Sequence, residues 1–243
     1  MSEMTSRLAL VTGGNQGIGL ATVERLVRDG YHVLAVDVSA SHLQDLPVTW
    51  LELDLTASDA PATIVSKLTT LAPKLDVLVN NAGIGGSKRL EDSDDALIDR
   101  IVDVNLRAVL RLTRDCIPLM ANPSAIVNVA SVYGETGFPG STAYAVAKAG
   151  ISQFTRQLAS EISPRGIRVN AVAPGLIRTP MTEARLERDD AYRKAMLDAT
   201  PLRRVGLPKD VASVISFLCG DQSDFVNGQV IAVDGGWLSC RSL

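Results

Sequence analysis

The chain has 243 residues, a formal net charge of −3, and is 46% hydrophobic and 21% charged. That length suits one domain of the larger α/β kind, residues 1–243, with enough chain for a sizeable core. The absence of a basic block argues against a nucleic-acid or anionic-membrane partner, and no run of about 18 apolar residues is present to span a bilayer.

Leu8-Ala9-Leu10-Val11 is expected to be a short buried strand, followed by a glycine-rich turn and a helix from about Gly17 to Asp29, with Gly30 as its stop. The turn runs Gly13-Gly14-Asn15-Gln16-Gly17-Ile18-Gly19. Glycines let backbone amides approach a pyrophosphate, and a helix N-terminus favours its charge. The Gly-x-x-x-Gly-x-Gly spacing differs from the commoner Gly-x-Gly-x-x-Gly, and a merely tight turn is the plainer alternative. Its place between strand and helix favours the binding reading.

His32-Val33-Leu34-Ala35-Val36 is the second expected strand, ending at Asp37, eighteen residues beyond Gly19. A carboxylate there can accept hydrogen bonds from both ribose hydroxyls of an adenosine and repels a 2′-phosphate. No arginine or lysine stands at Asn15 or Gln16 to welcome such a phosphate. The expected cofactor is therefore NAD rather than NADP, the alternative being that Asp37 only turns the chain. Trp50-Leu51-Glu52-Leu53 is the third strand, so any helix before it is short. Asp54 and Leu55 follow, placed to reach the adenine.

A helix is expected over Ala60 to Leu71 and a fourth strand over Val77-Leu78-Val79, closed by Asn80-Asn81-Ala82-Gly83. These four residues either just turn the chain or line a dinucleotide. A long amphipathic stretch from about Asp94 to Met120 contains Asn105, and Ala125 to Ala130 is a buried strand that presents Ser131 at its C-terminal end. In the helix expected from Ala143 to Glu161, Tyr144 and Lys148 stand one turn apart on one face. A phenol has a reference pKa of about 10, and a nearby ammonium favours its ionised form, which makes Tyr144 a candidate general acid/base. The bland alternative is a surface Tyr–Lys pair. This helix is apolar nearly all round, so one side is expected on the sheet and the other against a partner subunit.

Ile167 to Val172 is a sixth strand, Val211 to Leu218 a helix and Gln229 to Val233 a seventh strand. Pro180 to about Gly206 interrupts the alternation with a charged segment, either a lid at the carboxyl edge or a solvated helical hairpin. Repeated β-α alternation with continuous apolar strands implies a parallel sheet covered on both faces. Three scattered cysteines (Cys116, Cys219, Cys240) fit free thiols in a reducing compartment, and no charged-then-apolar leader precedes Leu8, so a cytoplasmic location is expected. His32 and His42 are too few for a typical metal cluster, and no metal is expected.

Thr12-Gly13-x-x-x-Gly17-x-Gly19, Asn80-Asn81-Ala82-Gly83, Asn105, Ser131, Tyr144-x-x-x-Lys148 and Pro174-Gly175 occur in an order that resembles the short-chain dehydrogenase/reductase family over essentially the whole chain. The resemblance implies a doubly wound Rossmann fold with a seven-stranded parallel sheet in the order 3-2-1-4-5-6-7, and a homotetramer or homodimer. It implies a catalytic set of Asn105, Ser131, Tyr144 and Lys148, with Ile177 and Thr179 after Pro174-Gly175 on the nicotinamide side. The ending Val233-Asp234-Gly235-Gly236-Trp237 is also typical, whereas the short connection between the second and third strands departs from the family, as does Ala130 in place of a frequent serine.

In this reading Tyr144 takes the alcohol proton as hydride leaves the carbinol carbon for nicotinamide, and Lys148 lowers the Tyr144 pKa and holds the nicotinamide ribose. Ser131 positions the reacting oxygen. Asn105 either anchors a water that feeds protons to Lys148 or simply bonds backbone. The substrate pocket is expected at Ser131, Tyr133, Phe138 and Tyr144, under the 180–206 segment. The expected activity is NAD-dependent interconversion of a secondary alcohol (a small alcohol, polyol or hydroxy acid) and its ketone. The alternatives are an NADPH-dependent 3-oxoacyl-thioester reductase and a non-catalytic dinucleotide-binding protein.

Overall fold

A computed structural model of the protein describes residues 7–86 and 88–239. Seven strands form one parallel sheet in the order β3-β2-β1-β4-β5-β6-β7. They are β1 (Leu8–Thr12), β2 (His32–Asp37), β3 (Thr49–Glu52), β4 (Leu75–Asn80), β5 (Met120–Val129), β6 (Ile167–Pro174) and β7 (Val230–Val233). The helices are α1 (Gly17–Arg28), α2 (Ala60–Leu71), α3 (Asp95–Val102), α4 (Ala108–Cys116), α5 (Thr142–Ile162), α6 (Pro180–Arg188), α7 (Asp190–Ala199) and α8 (Pro208–Cys219).

The strands are apolar without interruption because both faces of the sheet are covered, and alternate residues feed opposite cores. Ala9, Val11, Val33, Ala35, Val77 and Val79 face Val23 and Leu26 of α1 and Val211 and Ile215 of α8. Leu8, Leu10, Leu34, Leu78, Ile126 and Val169 face Ile64 and Leu68 of α2, Leu112 of α4 and Leu158 of α5. Burying each such leucine or isoleucine contributes about 1.5–3 kcal/mol, and truncating one to alanine costs about 2–5 kcal/mol. The strand order reverses between β1 and β4, so their carboxyl ends diverge and leave a crevice.

The amphipathic stretch expected from about Asp94 to Met120 is not one helix. Asp94 caps α3 by accepting from Leu97 N, α3 gives way to a π-helical turn over Asp103–Arg107, α4 follows, and the chain passes through a 3₁₀ turn (Ile117–Leu119) into β5. The wide turn carries Asn105, fully buried, and turns its amide towards Ile84. The connection between β2 and β3 contains turns and no helix. The interrupting segment after β6 is the helix pair α6–α7. Cys116 and Cys219 are buried free thiols, pushed up to about 12 by burial, while Cys240 lies outside the described residues.

Candidate active site

A cleft of about 610 Å³ runs along the carboxyl edge of the sheet. Of the residues singled out in the sequence, Gly13, Gln16, Gly17, Ile18, Asp37, Asp54, Leu55, Asn81, Ala82, Gly83, Asn105, Ser131, Tyr144, Lys148, Pro174, Gly175, Ile177 and Thr179 line it. They come from loops far apart in sequence, brought together because every strand of the parallel sheet ends on the same edge.

The glycine-rich turn is shaped by close backbone approach. Gly13 has φ 65°, and a Cβ there would lie 2.8 Å from Ala82 Cα; a Cβ on Gly19 would lie 1.8 Å from the carbonyl oxygen of Gly13. Gly19 does not line the cleft, but it lets α1 start directly against the turn. Asn81 ties this turn to β4, its Nδ2 donating to the carbonyls of Thr12 and Gly13 at 2.9 Å each. Asp37 Oδ2 accepts the Asn15 backbone N–H at 3.0 Å. The Asn15 side chain is turned away from the cleft: its Oδ1 accepts from His42 N and its Nδ2 donates to Ser41 Oγ. Thus a residue picked as a cofactor contact braces the loop after β2. Asp54 is held below the usual carboxylate range by hydrogen bonds from Thr56, with a smaller contribution from Arg100.

At the other end, Ser131 follows β5 and Tyr144 and Lys148 stand on successive turns of α5. Ser131 is buried; burial raises the Tyr144 phenol above its ordinary pKa, and the neighbouring Ser131 hydroxyl opposes this with a smaller, lowering effect. Lys148 is buried, its Nζ donates to Val129 O at 2.7 Å, and desolvation pushes its pKa down to about 8. Its Nζ lies 5.9 Å from the centre of the Tyr144 ring. The expectation that Lys148 draws the Tyr144 pKa down is therefore corrected: at this distance, with the ammonium bonded to a carbonyl, desolvation of the phenol prevails. Asn105 Oδ1 accepts from Ile84 N at 3.0 Å and its Nδ2 donates to Ile84 O and Ile101 O. Its side chain bonds backbone, the plainer of the two expectations. A Cβ on Gly83 would meet Asn105 Oδ1 at 2.6 Å and Lys148 Nζ at 3.4 Å, so the Asn-Asn-Ala-Gly turn packs directly on both.

Tyr133 and Phe138 do not line the main cleft. They stack on each other with ring centres 4.4 Å apart, and Tyr133 meets the Tyr144 ring edge-on at 6.4 Å. The cleft also takes in Arg100, Asp103, Val104, Met181 and Thr182, none singled out in the sequence. Arg100 and Val104 stand at a helical i, i+4 spacing, but nothing local says which way that face points. Thr179 reaches over the glycine-rich turn, where a Cβ on Gly17 would lie 3.2 Å from its Cγ2, so the start of α6 is folded down onto the cleft.

The glycine cradle and the carboxylate of Asp37 fit a dinucleotide: only a backbone without side chains lets a pyrophosphate this close to α1. Comparison with known proteins agrees. Residues 13–238 match a family model described as enoyl-(acyl carrier protein) reductase. The chain is 40% identical to a 3-oxoacyl-[acyl-carrier-protein] reductase of Thermotoga maritima, covering 96% of this chain and 98% of that one. It is 37% identical to a cyclopentanol dehydrogenase of a Comamonas species, covering 98% and 99%. A solved structure of a short-chain dehydrogenase/reductase from Brucella melitensis, titled glucose/ribitol dehydrogenase, superposes with a TM-score of 0.90 at 32% identity, over 95% of this chain and 96% of that one. The chain belongs to the short-chain dehydrogenase/reductase family, oxidoreductases that act on CH–OH groups with a nicotinamide dinucleotide.

Proposed function

We propose that the protein is an NAD-dependent oxidoreductase interconverting a secondary alcohol (a small alcohol, polyol or hydroxy acid) and its ketone, with Tyr144 as general acid/base. The observation that carries this reading is that Ser131, Tyr144 and Lys148 line one cleft, with the Lys148 Nζ held by Val129 O and 5.9 Å from the centre of the Tyr144 ring. Bound there, the nicotinamide dinucleotide supplies or accepts the hydride. Gly13, Gln16, Gly17 and Ile18 would hold its pyrophosphate, Asp37 the adenosine ribose, Asp54 and Leu55 the adenine, and Pro174, Gly175, Ile177 and Thr179 the nicotinamide end.

Tyr144 removes the hydroxyl proton in the oxidative direction and returns one to the carbonyl oxygen in the reductive direction. Ser131 donates to the same oxygen and fixes its position. Lys148 places a positive charge behind the phenol and is in reach of the ribose, and Asn105 holds the 83–84 turn against it. Asp37, with one oxygen held by Asn15 N, favours two ribose hydroxyls over a 2′-phosphate.

The 3-oxoacyl-thioester reductase is the second reading, favoured by the 40% identity with the Thermotoga maritima protein. Asp37 argues for NADH, and a titration separates the two: equal or tighter binding of NADPH overturns the NAD assignment. The protein is further proposed to be a cytoplasmic homodimer or homotetramer, assembled on the α4–α5 face where Val146 and Leu110 are 63% and 39% exposed. The central test is Tyr144→Phe, assayed by NADH absorbance on a panel of secondary alcohols and ketones. Turnover is expected to fall at least ~100-fold with NADH binding retained, and unchanged turnover defeats the mechanism.

A further inference from the structure

The chain has four tyrosines, four phenylalanines and two tryptophans, and half of these rings gather in one place. Tyr133 stacks on Phe138, Trp237 tilts against both at 6.2 and 6.1 Å, and Tyr133 meets Tyr144 edge-on. The fifth ring belongs to α7: Tyr192 Oη lies 3.4 Å from Tyr133 Oη. Two contacts and one buried anchor hold that residue on the α6–α7 side. Asp189 caps α7 by accepting from Tyr192 N at 2.8 Å, Arg185 lies over the Tyr192 ring at 3.7 Å, and Met196 anchors α7 in the interior.

We propose that the Tyr133–Tyr192 hydroxyl pair latches the α6–α7 segment as a lid onto the aromatic wall beside Tyr144, and that Tyr192 thereby selects substrates whose carbinol carbon bears an uncharged apolar substituent on this side. The proposal rests on the reading of Tyr144 given above. The wall offers ring faces and edges, and the Arg185 guanidinium over the Tyr192 ring is paired with Asp189 at 3.9 Å. A carboxylate arriving at these rings would lose water and find the Arg185 guanidinium already engaged, whereas an alkyl or ring substituent gains aromatic contact. The latch joins the helix pair after β6 to Tyr133, whose ring meets that of Tyr144 edge-on.

The test uses full-length protein, Tyr133→Phe, Tyr192→Phe and the double variant. Cyclohexanol and 3-hydroxybutyrate serve as the apolar and anionic probes. The wild type is expected to favour cyclohexanol. Each single variant is expected to raise its KM ~3- to 10-fold with kcat nearly unchanged and NADH binding intact, and the double variant to do no more than either single, because both remove one shared bond. Limited trypsin digestion of the ligand-free protein is expected to cut at Arg185, Arg188, Arg193 or Lys194 about threefold faster in each variant. A wild type that prefers 3-hydroxybutyrate, or KM effects that multiply in the double variant, overturns the specificity assignment. Cleavage at the wild-type rate in both single variants overturns the latch. A wild type that turns over no alcohol while its variants still show faster cleavage defeats the reading of Tyr144 and the specificity built on it, and leaves the latch standing.

Discussion

Asp37 and Asn15 are joined across the mouth of the cleft, with the Asp37 carboxylate accepting the Asn15 backbone N–H at 3.0 Å although 22 residues separate them. One oxygen of this carboxylate braces the glycine-rich turn, and Asp37 also lines the cleft. The brace and the choice of cofactor therefore reside in one side chain, and they can be separated. In Asp37→Asn the amide oxygen still accepts from Asn15, while the negative charge is gone. Hydrogen bonds to charged groups are worth about 1.5–3 kcal/mol, so the preference for NADH over NADPH is expected to narrow at least ~10-fold with the melting temperature nearly unchanged. Fluorescence titration with both cofactors and a thermal melt check this, and an unaltered preference removes Asp37 from the recognition of the ribose.

Gly19→Ala tests the cradle. The added carbon would sit 1.8 Å from Gly13 O, a contact with backbone that no rotamer change relieves. The turn must shift, and overpacking of this kind costs about 1–3 kcal/mol. NADH affinity is expected to fall more than ~10-fold in a protein that still folds by circular dichroism. Wild-type affinity would show that the turn has room to spare.

Lys148 gives a prediction about stability and pH. Its folded pKa, about 8, lies below the reference value of 10.5. Below pH 8 both states are protonated and the fold carries the full cost of the buried charge, about 3 kcal/mol at most. Between about 8 and 10.5 the unfolded chain holds more protons than the folded one, so this cost is relieved as pH rises. Lys148→Met is expected to melt at or above the wild-type temperature at pH 7, with the difference shrinking towards pH 10.5, and to lose turnover. A variant less stable than wild type at pH 7 would show that the bond to Val129 O outweighs desolvation.

Under the site lies a buried polar relay. Asn80 Nδ2 donates to Thr113 Oγ1 and Asn128 Oδ1 at 2.9 and 2.8 Å, and Asn128 Nδ2 donates to Thr155 Oγ1 at 2.9 Å, which couples β4, α4, β5 and α5. Thr155→Val keeps the shape and leaves Asn128 Nδ2 buried without this acceptor. The expected cost is about 1–3 kcal/mol in urea unfolding, far more than a Thr→Val change on the exposed side of α2 at Thr70.

The sequence by itself determined the strand and helix order, because uninterrupted apolar runs alternating with helical periodicity have one economical arrangement, a parallel sheet covered on both faces. It also determined that Tyr144 and Lys148 share one helix face and that Ser131 stands at a strand end, since the i, i+4 spacing is local and the strand is visible in Ala125 to Ala130. What only the tertiary structure decided concerns side chains whose partners are distant. Asn15, inside the glycine-rich turn, points to Ser41 and His42; Asn105 bends a long helix into a π turn to reach Ile84; and Arg100 and Met181 enter the cleft from elements whose facing no local pattern reveals. The same holds for the balance at Tyr144. Spacing puts an ammonium one turn away, but the sign of the shift depends on how much water the fold removes from the phenol, which is a property of all the elements packed around it.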